Sequence, residues 1–218
     1  MSMAMATHSV LILGTRSFAI DLADVISEIP GYRVTAFVEN LDPRRCDSPL
    51  AGLPVLWVEE IPAFVSGHVA VCGLSTTNRW RFTEQVAAMG MKFGTFIHPS
   101  AQISVNSTLS EGCVLNRGAI VAGYTHIGRH VLVSRGATIG HHTTIGNYCT
   151  IQPGANVAGS CAVGERVYIG MSATVIDKLT IGNQVVIGAG AVVVDDVPPR
   201  VQVLGLPARV VKREIDGL

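Results

Sequence analysis

Residues 127–151 read I-G-R-H-V-L-V-S-R-G-A-T-I-G-H-H-T-T-I-G-N-Y-C-T-I, with an aliphatic side chain at every sixth position. This spacing continues without a break from Ala101 to Asp196, which makes sixteen hexapeptides. An α-helix repeats about every 3.6 residues and a strand every two, so neither explains a period of six. The pattern predicts a parallel β-helix, in which each hexapeptide forms one short strand and one corner. The recurring aliphatic residues are Ile103, Leu109, Leu115, Val121, Ile127, Val133, Ile139, Ile145, Ile151, Val157, Val163, Ile169, Val175, Ile181, Ile187 and Val193.

The neighbours of the aliphatic residue also repeat. A compact residue such as Ala137 lies two positions before it, and glycine often follows it, as at Gly140. We expect the aliphatic side chains to point inward, and the glycines to relieve corners that need a positive φ or a close approach. Hexapeptides of this kind usually form a triangular coil with three per turn. Residues eighteen apart then stack, and the sixteen hexapeptides give about five coils.

Composition narrows the classes of function. The 218 residues are 48% hydrophobic and 15% charged, which is enough apolar material for a substantial core. The formal net charge is zero, which argues against electrostatic capture of nucleic acid or of an anionic membrane. No apolar run reaches the ~18 residues of a membrane span, and Met1–His8 lack the features of a signal peptide. We therefore expect a cytoplasmic protein with free, buried thiols at Cys113, Cys149 and Cys161, which occupy the compact inward position.

Residues 1–97 differ from the repeat and predict a small α/β domain with a half-Rossmann-like parallel sheet. Apolar runs alternate there with segments of helical periodicity, and Ser17 is placed to cap the first helix. The coil is expected over residues 98–197, and a short basic tail over 198–218. The predicted strands are Ser9–Leu13, Arg33–Val38, Val69–Cys72 and Lys92–Ile97, and the predicted helices are Ser17–Ile29, Glu59–Ser66 and Thr77–Met89.

The turn Gly14–Ala19 follows a predicted strand and opens a helix, so its backbone N–H groups face an incoming anion. Glu39, Asn40 and Gly73 end the next two strands at the same edge of the sheet, where open α/β sheets bind ligands. About 90 residues are too few for a full dinucleotide fold. A nucleoside diphosphate is the predicted ligand, with a purely structural tight turn as the alternative.

Four histidines lie between positions 126 and 142. None of the separations among His126, His130, His141 and His142 equals eighteen, which disfavours a metal site on one face of the coil. His141 is predicted near a corner, where a neutral imidazole can accept a proton from an amine or a hydroxyl. A solvated histidine without function is the alternative at that position.

Five sequence motifs together resemble the bacterial nucleotide-sugar N-acetyltransferases and sialic acid O-acetyltransferases. In that family a small α/β domain precedes a left-handed parallel β-helix. The nearest subgroup by pattern acetylates the C4 amine of nucleotide-linked 4-amino-4,6-dideoxy sugars, such as UDP-linked bacillosamine precursors, dTDP-viosamine and GDP-perosamine. The motifs are Gly14–Ala19, Phe37–Asn40, Ile97–Ala101, Gly140-His141 before Ile145-Gly146, and Gly205–Arg209.

The resemblance implies roles for individual residues. His141 falls at the general base, next to His142, and Ser134 falls near the sugar. Active sites between the subunits of a homotrimer are also implied, with acetyl-CoA as the co-substrate and no metal. The implied nucleotide-sugar residues are Gly14, Arg16, Ser17, Phe18, Glu39, Asn40 and Gly73. The implied acetyl-CoA residues are Thr150, Gly159, Met171, Gly188, Ala189, Gly190, Pro207 and Arg209.

The chain departs from the family pattern at four positions, one of them Asn40, where the family often has a second acidic residue. The family usually has Asp or Glu after the catalytic histidine, where this chain has His142. Thr150 replaces a frequent histidine, and Ser134 replaces a frequent asparagine. A carboxylate acceptor at Glu39 suits the N–H edge of guanine, which favours GDP-perosamine as substrate. The alternatives are O-acetylation of sialic acid or a related sugar, a sugar-nucleotide-binding β-helix without catalysis, and a metal-dependent lyase of the carbonic anhydrase kind.

Overall fold

A computed structural model of the chain describes residues 8–218. The described residues form two compact units. The α/β unit comprises the described residues up to Ser75 together with Arg79–Phe96. The coil unit comprises Ile97–Leu218 and also takes in the short segment Thr76–Asn78.

A four-stranded parallel sheet forms the centre of the α/β unit, in the order β3-β2-β1-β4. The central strand β1 is apolar from Val10 to Leu13, and these side chains are fully buried. Such a continuous apolar run is typical of a parallel strand that is covered on both faces. The strands are β1 (His8–Leu13), β2 (Tyr32–Glu39), β3 (Val55–Trp57) and β4 (His68–Cys72), and the α-helices are α1 (Ser17–Ser27) and α2 (Trp80–Ala88).

Several predictions for this unit need correction. Ser17 does not cap α1, because it is the first helical residue and Arg16 holds the N-cap position without a side-chain bond. The predicted strand over Lys92–Ile97 reduces to an isolated bridge between Phe93 and Ala70, followed by the two-residue strand β5 (Phe96–Ile97). The sequence analysis missed β3. The other helical turns are 3-10 helices, at Pro43–Asp47, Val58–Ala63 and Thr77–Arg79.

The coil contains sixteen two-residue strands, one for every predicted hexapeptide, and it is the left-handed parallel β-helix that the repeat predicts. They are β6 to β21: Gln102–Ile103, Thr108–Leu109, Val114–Leu115, Ile120–Val121, His126–Ile127, Leu132–Val133, Thr138–Ile139, Thr144–Ile145, Thr150–Ile151, Asn156–Val157, Ala162–Val163, Tyr168–Ile169, Thr174–Val175, Thr180–Ile181, Val186–Ile187 and Val192–Val193.

Every third strand belongs to the same sheet, so the coil has three faces. The first coil sheet runs from β6 to β21, the second from β7 to β19, and the third includes β5, β8, β11, β14, β17 and β20. Ile127 pairs with Ile145, and Ile145 with Val163, which confirms the stacking of residues eighteen apart. Each second strand residue points inward, and these aliphatic side chains form one continuous core with Cys113, Cys149 and Cys161.

Two different corner positions explain the glycines. Left-handed backbone occurs three residues after the inward aliphatic residue, at glycines such as Gly136 (φ 64°) and also at side-chain-bearing residues such as His142 (φ 55°). The glycine that directly follows the aliphatic residue is needed for close approach. A Cβ on Gly140 would lie 2.5 Å from backbone atoms of Ala158 and Gly159 in the next coil. The glycines that directly follow the aliphatic residue were expected to provide either a positive φ or a close approach. Close approach is the role observed.

The predicted tail extends the third coil sheet. Strand β22 (Val201–Gly205) pairs in parallel with β20, and β23 (Ala208–Arg213) pairs with β22 in the antiparallel sense. After β23, the Asp216 carboxylate accepts hydrogen bonds from Arg166 at 2.8 Å and Gln184 at 3.0 Å. Among residues 8–218, no helix has the length and apolar character needed to cross a bilayer.

Candidate active site and nucleotide-binding cleft

His141 and His142 lie where the chain passes from β12 to β13, at the edge between the first and second coil sheets. We call this edge the His141 corner. Both side chains are exposed. The His142 N–H donates to the Gly123 carbonyl at 3.0 Å, which ties the corner to the preceding coil.

Buried threonines support the His141 corner from inside. The Thr125 hydroxyl donates to the Gly140 carbonyl at 2.8 Å, and the Thr143 hydroxyl donates to the Ala158 carbonyl at 3.1 Å. Both threonines are completely buried, in the compact inward position of the repeat. Because buried polar groups need partners, these bonds satisfy carbonyls that the corner turns inward and hold the backbone before His141.

The imidazole of His141 rests on Gly159, which is eighteen residues further along the chain. A Cβ on Gly159 would lie 2.9 Å from His141 Cε1 and 3.0 Å from Nε2. Any larger residue at this position would push the ring away. The coil therefore brings together His141 and one of the residues implied to bind acetyl-CoA.

The two histidines of the corner contact each other through their Nδ1 atoms, which are 3.0 Å apart. Their rings are nearly perpendicular, at 87°, with centroids 5.1 Å apart. His142 also stacks on Tyr124, with centroids 5.0 Å apart and an interplanar angle of 29°. The sequence analysis missed Tyr124, although its position eighteen residues before His142 is the signal that could have found it.

A cleft of about 130 Å³ opens at the carboxyl ends of the strands in the α/β unit. Gly14, Arg16, Glu39 and Asn40 line it, as do several residues to which the sequence analysis gave no role. Ser17, Phe18 and Gly73 do not line it. The further lining residues are Thr15, Leu41, Asp42, Arg45, Leu74 and Phe82.

The Glu39 carboxylate organises the floor of this cleft and is only 7% exposed. It accepts hydrogen bonds from the Thr15 hydroxyl and from the N–H groups of Asn40 at 3.0 Å and Leu41 at 2.8 Å. Arg45 lies 3.8 Å away. Burial acts to raise the pKa of Glu39, but the hydrogen bonds from Thr15, Leu41 and Asn40 outweigh it and hold the pKa below its ordinary value. Glu39 is therefore an anion that already has several donors.

Gly73 packs between β1 and α1. A Cβ there would lie 2.7 Å from Ile12 Cγ2 and 2.8 Å from Ala19 Cβ. This glycine lets α1 lie close to the sheet, so its contacts are with protein. The start of α1 itself has no side-chain cap, and its first N–H groups are the kind that bind anions.

The remaining implied residues lie elsewhere on the coil. Ser134, Met171 and Gly188–Gly190 lie at the edge between the third and first coil sheets, which we call the Met171 corner. Met171 is 54% exposed, whereas Thr150 is 1% exposed within β14. A Cβ on Gly188 would meet the Leu204 side chain. Pro207 lies in the turn between β22 and β23, and the Arg209 guanidinium lies 3.7 Å from Asp195.

Of the four clustered histidines, only His141 and His142 are described in contact with each other, while His126 and His130 have other partners. His126 lies on a coil face with Nδ1 2.8 Å from the Thr108 hydroxyl, and buried His130 stacks on Tyr148. Within residues 8–218, no three His, Cys, Asp or Glu side chains are grouped so that they could hold a metal ion.

Comparisons with known proteins agree with this architecture. The family model described as bacterial transferase hexapeptide (six repeats) matches residues 124–159. A variant of perosamine N-acetyltransferase from Caulobacter crescentus, solved with CoA and GDP-perosamine, has a TM-score of 0.87 and 27% identity, and the match covers 96% of this chain and 100% of that one. The acetyltransferase domain of PglB from Neisseria gonorrhoeae, solved with acetyl coenzyme A, has a TM-score of 0.87 and 25% identity. That match covers 94% of this chain and 100% of the PglB domain. A search of curated proteins finds no match to the sequence.

The repeat, the coil and these matches make the chain similar to hexapeptide-repeat transferases, with the family model covering residues 124–159 of the coil. The chain is also similar over nearly its whole length to two solved acetyltransferase structures. The protein is an acetyltransferase.

Proposed function

We propose that this acetyltransferase moves the acetyl group of acetyl-CoA to the C4 amine of a nucleotide-linked 4-amino-4,6-dideoxy sugar, with GDP-perosamine as the leading candidate. The observation that carries the proposal is the similarity over 96% of the chain to an enzyme solved with CoA and GDP-perosamine. In this proposal the cleft of the α/β unit binds the nucleotide, and the His141 corner supplies the general base.

The cleft would bind the nucleotide. The uncapped start of α1 offers N–H groups to a diphosphate, and Arg16 and Arg45 add positive charge beside it. Glu39 remains the proposed acceptor for the N–H edge of guanine. Because Thr15, Asn40 and Leu41 already donate to it, a base would share its oxygens with these donors.

The donor is proposed to lie along the Met171 corner. Ala189 and Gly190 are exposed there, and a Cβ on Gly190 would have no neighbour within 4 Å. This flat, glycine-rich edge leaves room for an extended pantetheine arm. Thr150 fits this role less well, since it is buried.

In the proposed reaction the sugar amine attacks the thioester carbonyl carbon. The new N–C bond forms, the C–S bond breaks, and CoA leaves as the thiolate. His141 Nε2 accepts the proton that the amine loses. Because both substrates are held in one site, proximity supplies much of the rate. The neutral neighbour His142 favours an amine over a hydroxyl acceptor, which needs a stronger base.

A homotrimer with shared sites is part of the proposal. His141 and the donor residues Met171, Ala189 and Gly190 occupy different corners, and six residues separate neighbouring corners, a span of at most about 20 Å. A second copy that places its Met171 corner against the His141 corner would bring the acetyl group to the base without crossing a coil face.

The first test measures CoA thiol release from acetyl-CoA with GDP-perosamine, dTDP-viosamine and a UDP-linked 4-amino sugar. We expect turnover with one of them, GDP-perosamine first, and a fall of about 10²–10⁴-fold in kcat for His141→Asn, as is typical of a lost general base. Turnover that survives this substitution would remove His141 as the base. Release with none of the three sugars would contradict the N-acetyltransferase proposal.

The shared site has its own test. His141→Asn and Ala189→Trp each disable one half of the site, so each variant alone should be inactive. Co-expressed in equal amounts, they should regain roughly a quarter of wild-type activity, because random assembly pairs an intact His141 corner with an intact Met171 corner at that frequency. No recovery in mixed trimers would mean that one chain supplies both halves.

A further inference from the structure

We propose that His142 is a positioning residue: its neutral imidazole accepts the Nδ1–H of His141 and so keeps His141 Nε2 free to take the substrate proton. This inference rests on the proposed function. In the family that the sequence resembles, an Asp or Glu usually follows the catalytic histidine. Here His142 occupies that position and would orient His141 instead.

The geometry restricts the protonation of the pair. Two neutral imidazoles whose Nδ1 atoms lie 3.0 Å apart form a hydrogen bond only if one donates and the other accepts. If His142 donates, His141 carries its own proton on Nε2 and has no base to offer. If His141 donates, its Nε2 has a free lone pair. Only the second arrangement is competent for proton abstraction.

His142 is held in place from two sides. Its ring stacks on Tyr124, and its backbone N–H donates to the Gly123 carbonyl at 3.0 Å. His142 has left-handed backbone, with φ 55°, and its ring centroid lies 5.1 Å from that of His141. Gly159 lies against the ring of His141, which limits the positions that this ring can take.

Replacing a carboxylate by imidazole has a chemical consequence. After proton transfer, the bond from His141 to His142 becomes charge-assisted, but its acceptor is neutral. A protonated His142 carries a donor where the Nδ1–H of His141 needs an acceptor. Activity therefore requires both rings to be neutral.

Other titratable groups of the coil are few near this pair. Tyr124, which belongs to the preceding coil, stacks on His142. Two coils beyond His141, Asp177 and Lys178 occupy the same corner and lie 3.6 Å from each other, so their charges largely offset. The two imidazoles are therefore each other's side-chain hydrogen-bond partner at this corner.

The experiment compares the wild type with His142→Ala and His142→Asp, with Ser160→Ala as control at the equivalent corner position of the next coil. We expect His142→Ala to lower kcat by about 10–100-fold with little change in KM, as for other orienting partners. His142→Asp should restore activity, since aspartate accepts the same hydrogen bond and tolerates left-handed backbone.

A readout independent of turnover is the ring ¹⁵N spectrum of histidine-labelled protein above pH 7. His141 should carry its proton on Nδ1 and His142 on Nε2, and in His142→Ala the His141 preference should be lost. Wild-type His141 protonated on Nε2 would overturn the inference. Equal kcat and equal pH profiles for wild type and His142→Ala would also overturn it, and would leave acetyl transfer itself intact. If no sugar supports turnover, the proposed function fails and the spectrum still decides the tautomer.

Discussion

The coil and the α/β unit solve the problem of holding a reactive group in different ways. In the coil the strand pairing recurs after eighteen residues, so Ile127, Ile145 and Val163 occupy equivalent places in successive turns. In the α/β unit the important contacts occur once, as where Gly73 fits between Ile12 and Ala19. The proposed function places the chemistry of the coil on outward corner side chains that the repeat does not restrict. In the α/β unit it places nucleotide binding beside a buried polar network around Glu39.

A substitution at the candidate site of the coil should therefore affect the proposed chemistry without affecting stability. A substitution in the cleft of the α/β unit should affect both. Changing His141 alters an exposed side chain and no core contact. Changing Glu39 alters the cleft and also removes bonds that hold two loops together. Both tryptophans, Trp57 and Trp80, lie in the α/β unit, so fluorescence reports its unfolding, while circular dichroism also follows the coil.

The largest effect is expected from a cavity in the periodic core. Ile151 is 0% exposed and stacks between the strands of neighbouring coils. Ile151→Ala should lower the free energy of unfolding of the coil by about 2–5 kcal/mol. Circular dichroism during urea unfolding measures the shift. The matched control Ile176→Ala removes the same atoms from a 37% exposed corner side chain and should cost less than about 1 kcal/mol. Equal losses of unfolding free energy in the two variants would mean that burial of the side chain does not determine its contribution to stability.

The second largest effect on stability is expected at the glycines of close approach, which should differ from the glycines with left-handed backbone. Gly140→Ala places a Cβ against backbone atoms of the next coil that cannot rotate away, and it should cost about 3 kcal/mol. Gly136→Ala, at φ 64° with nothing within 4 Å of its Cβ, should cost about 1 kcal/mol for left-handed backbone alone. Urea unfolding of the two variants gives the comparison. The reverse order would contradict the close-approach explanation.

The smallest of the three effects is expected in the α/β unit and depends on pH. Because the folded-state pKa of Glu39 is lowered, its contribution is fully present above the unfolded-state pKa of about 4.3 and is lost as pH falls through the folded-state value. Glu39→Gln should therefore reduce stability by about 1–2 kcal/mol at pH 7 and by progressively less below about pH 4. Tryptophan fluorescence in urea at several pH values checks this. A difference that stays constant with pH would show that the charge of Glu39 is not involved.

The repeat made the coil predictable because one rule applies to ninety-six consecutive residues. The period determines strand positions, inward residues and stacking partners together. It did not reveal which corner position is left-handed, since both glycine and larger residues such as Tyr124 and His142 adopt that backbone. The α/β unit has no such redundancy. Its strand over Lys92–Ile97 and its cap at Ser17 were wrong, because short segments respond to tertiary contacts more than to local pattern.

Candidate site residues differ in the same way. The position of His141 at a corner follows from the period alone, and its neighbour Gly159 follows from adding eighteen. The contact between His141 and His142 does not follow from any spacing, because adjacent corner residues can point apart. The network of Thr15, Asn40 and Leu41 around Glu39 likewise depends on how two loops meet.

The eighteen-residue register also constrains how such a chain can change in length. Deleting one residue within a strand would turn every later side chain out of its column, so single-residue changes are confined to corners that can bulge outward. A complete coil, in contrast, can be inserted or removed as a cassette of eighteen residues that leaves all other columns aligned. Lengthening the protein beyond Gly159 in such steps would extend the surface available to a long substrate while the two histidines keep their neighbours.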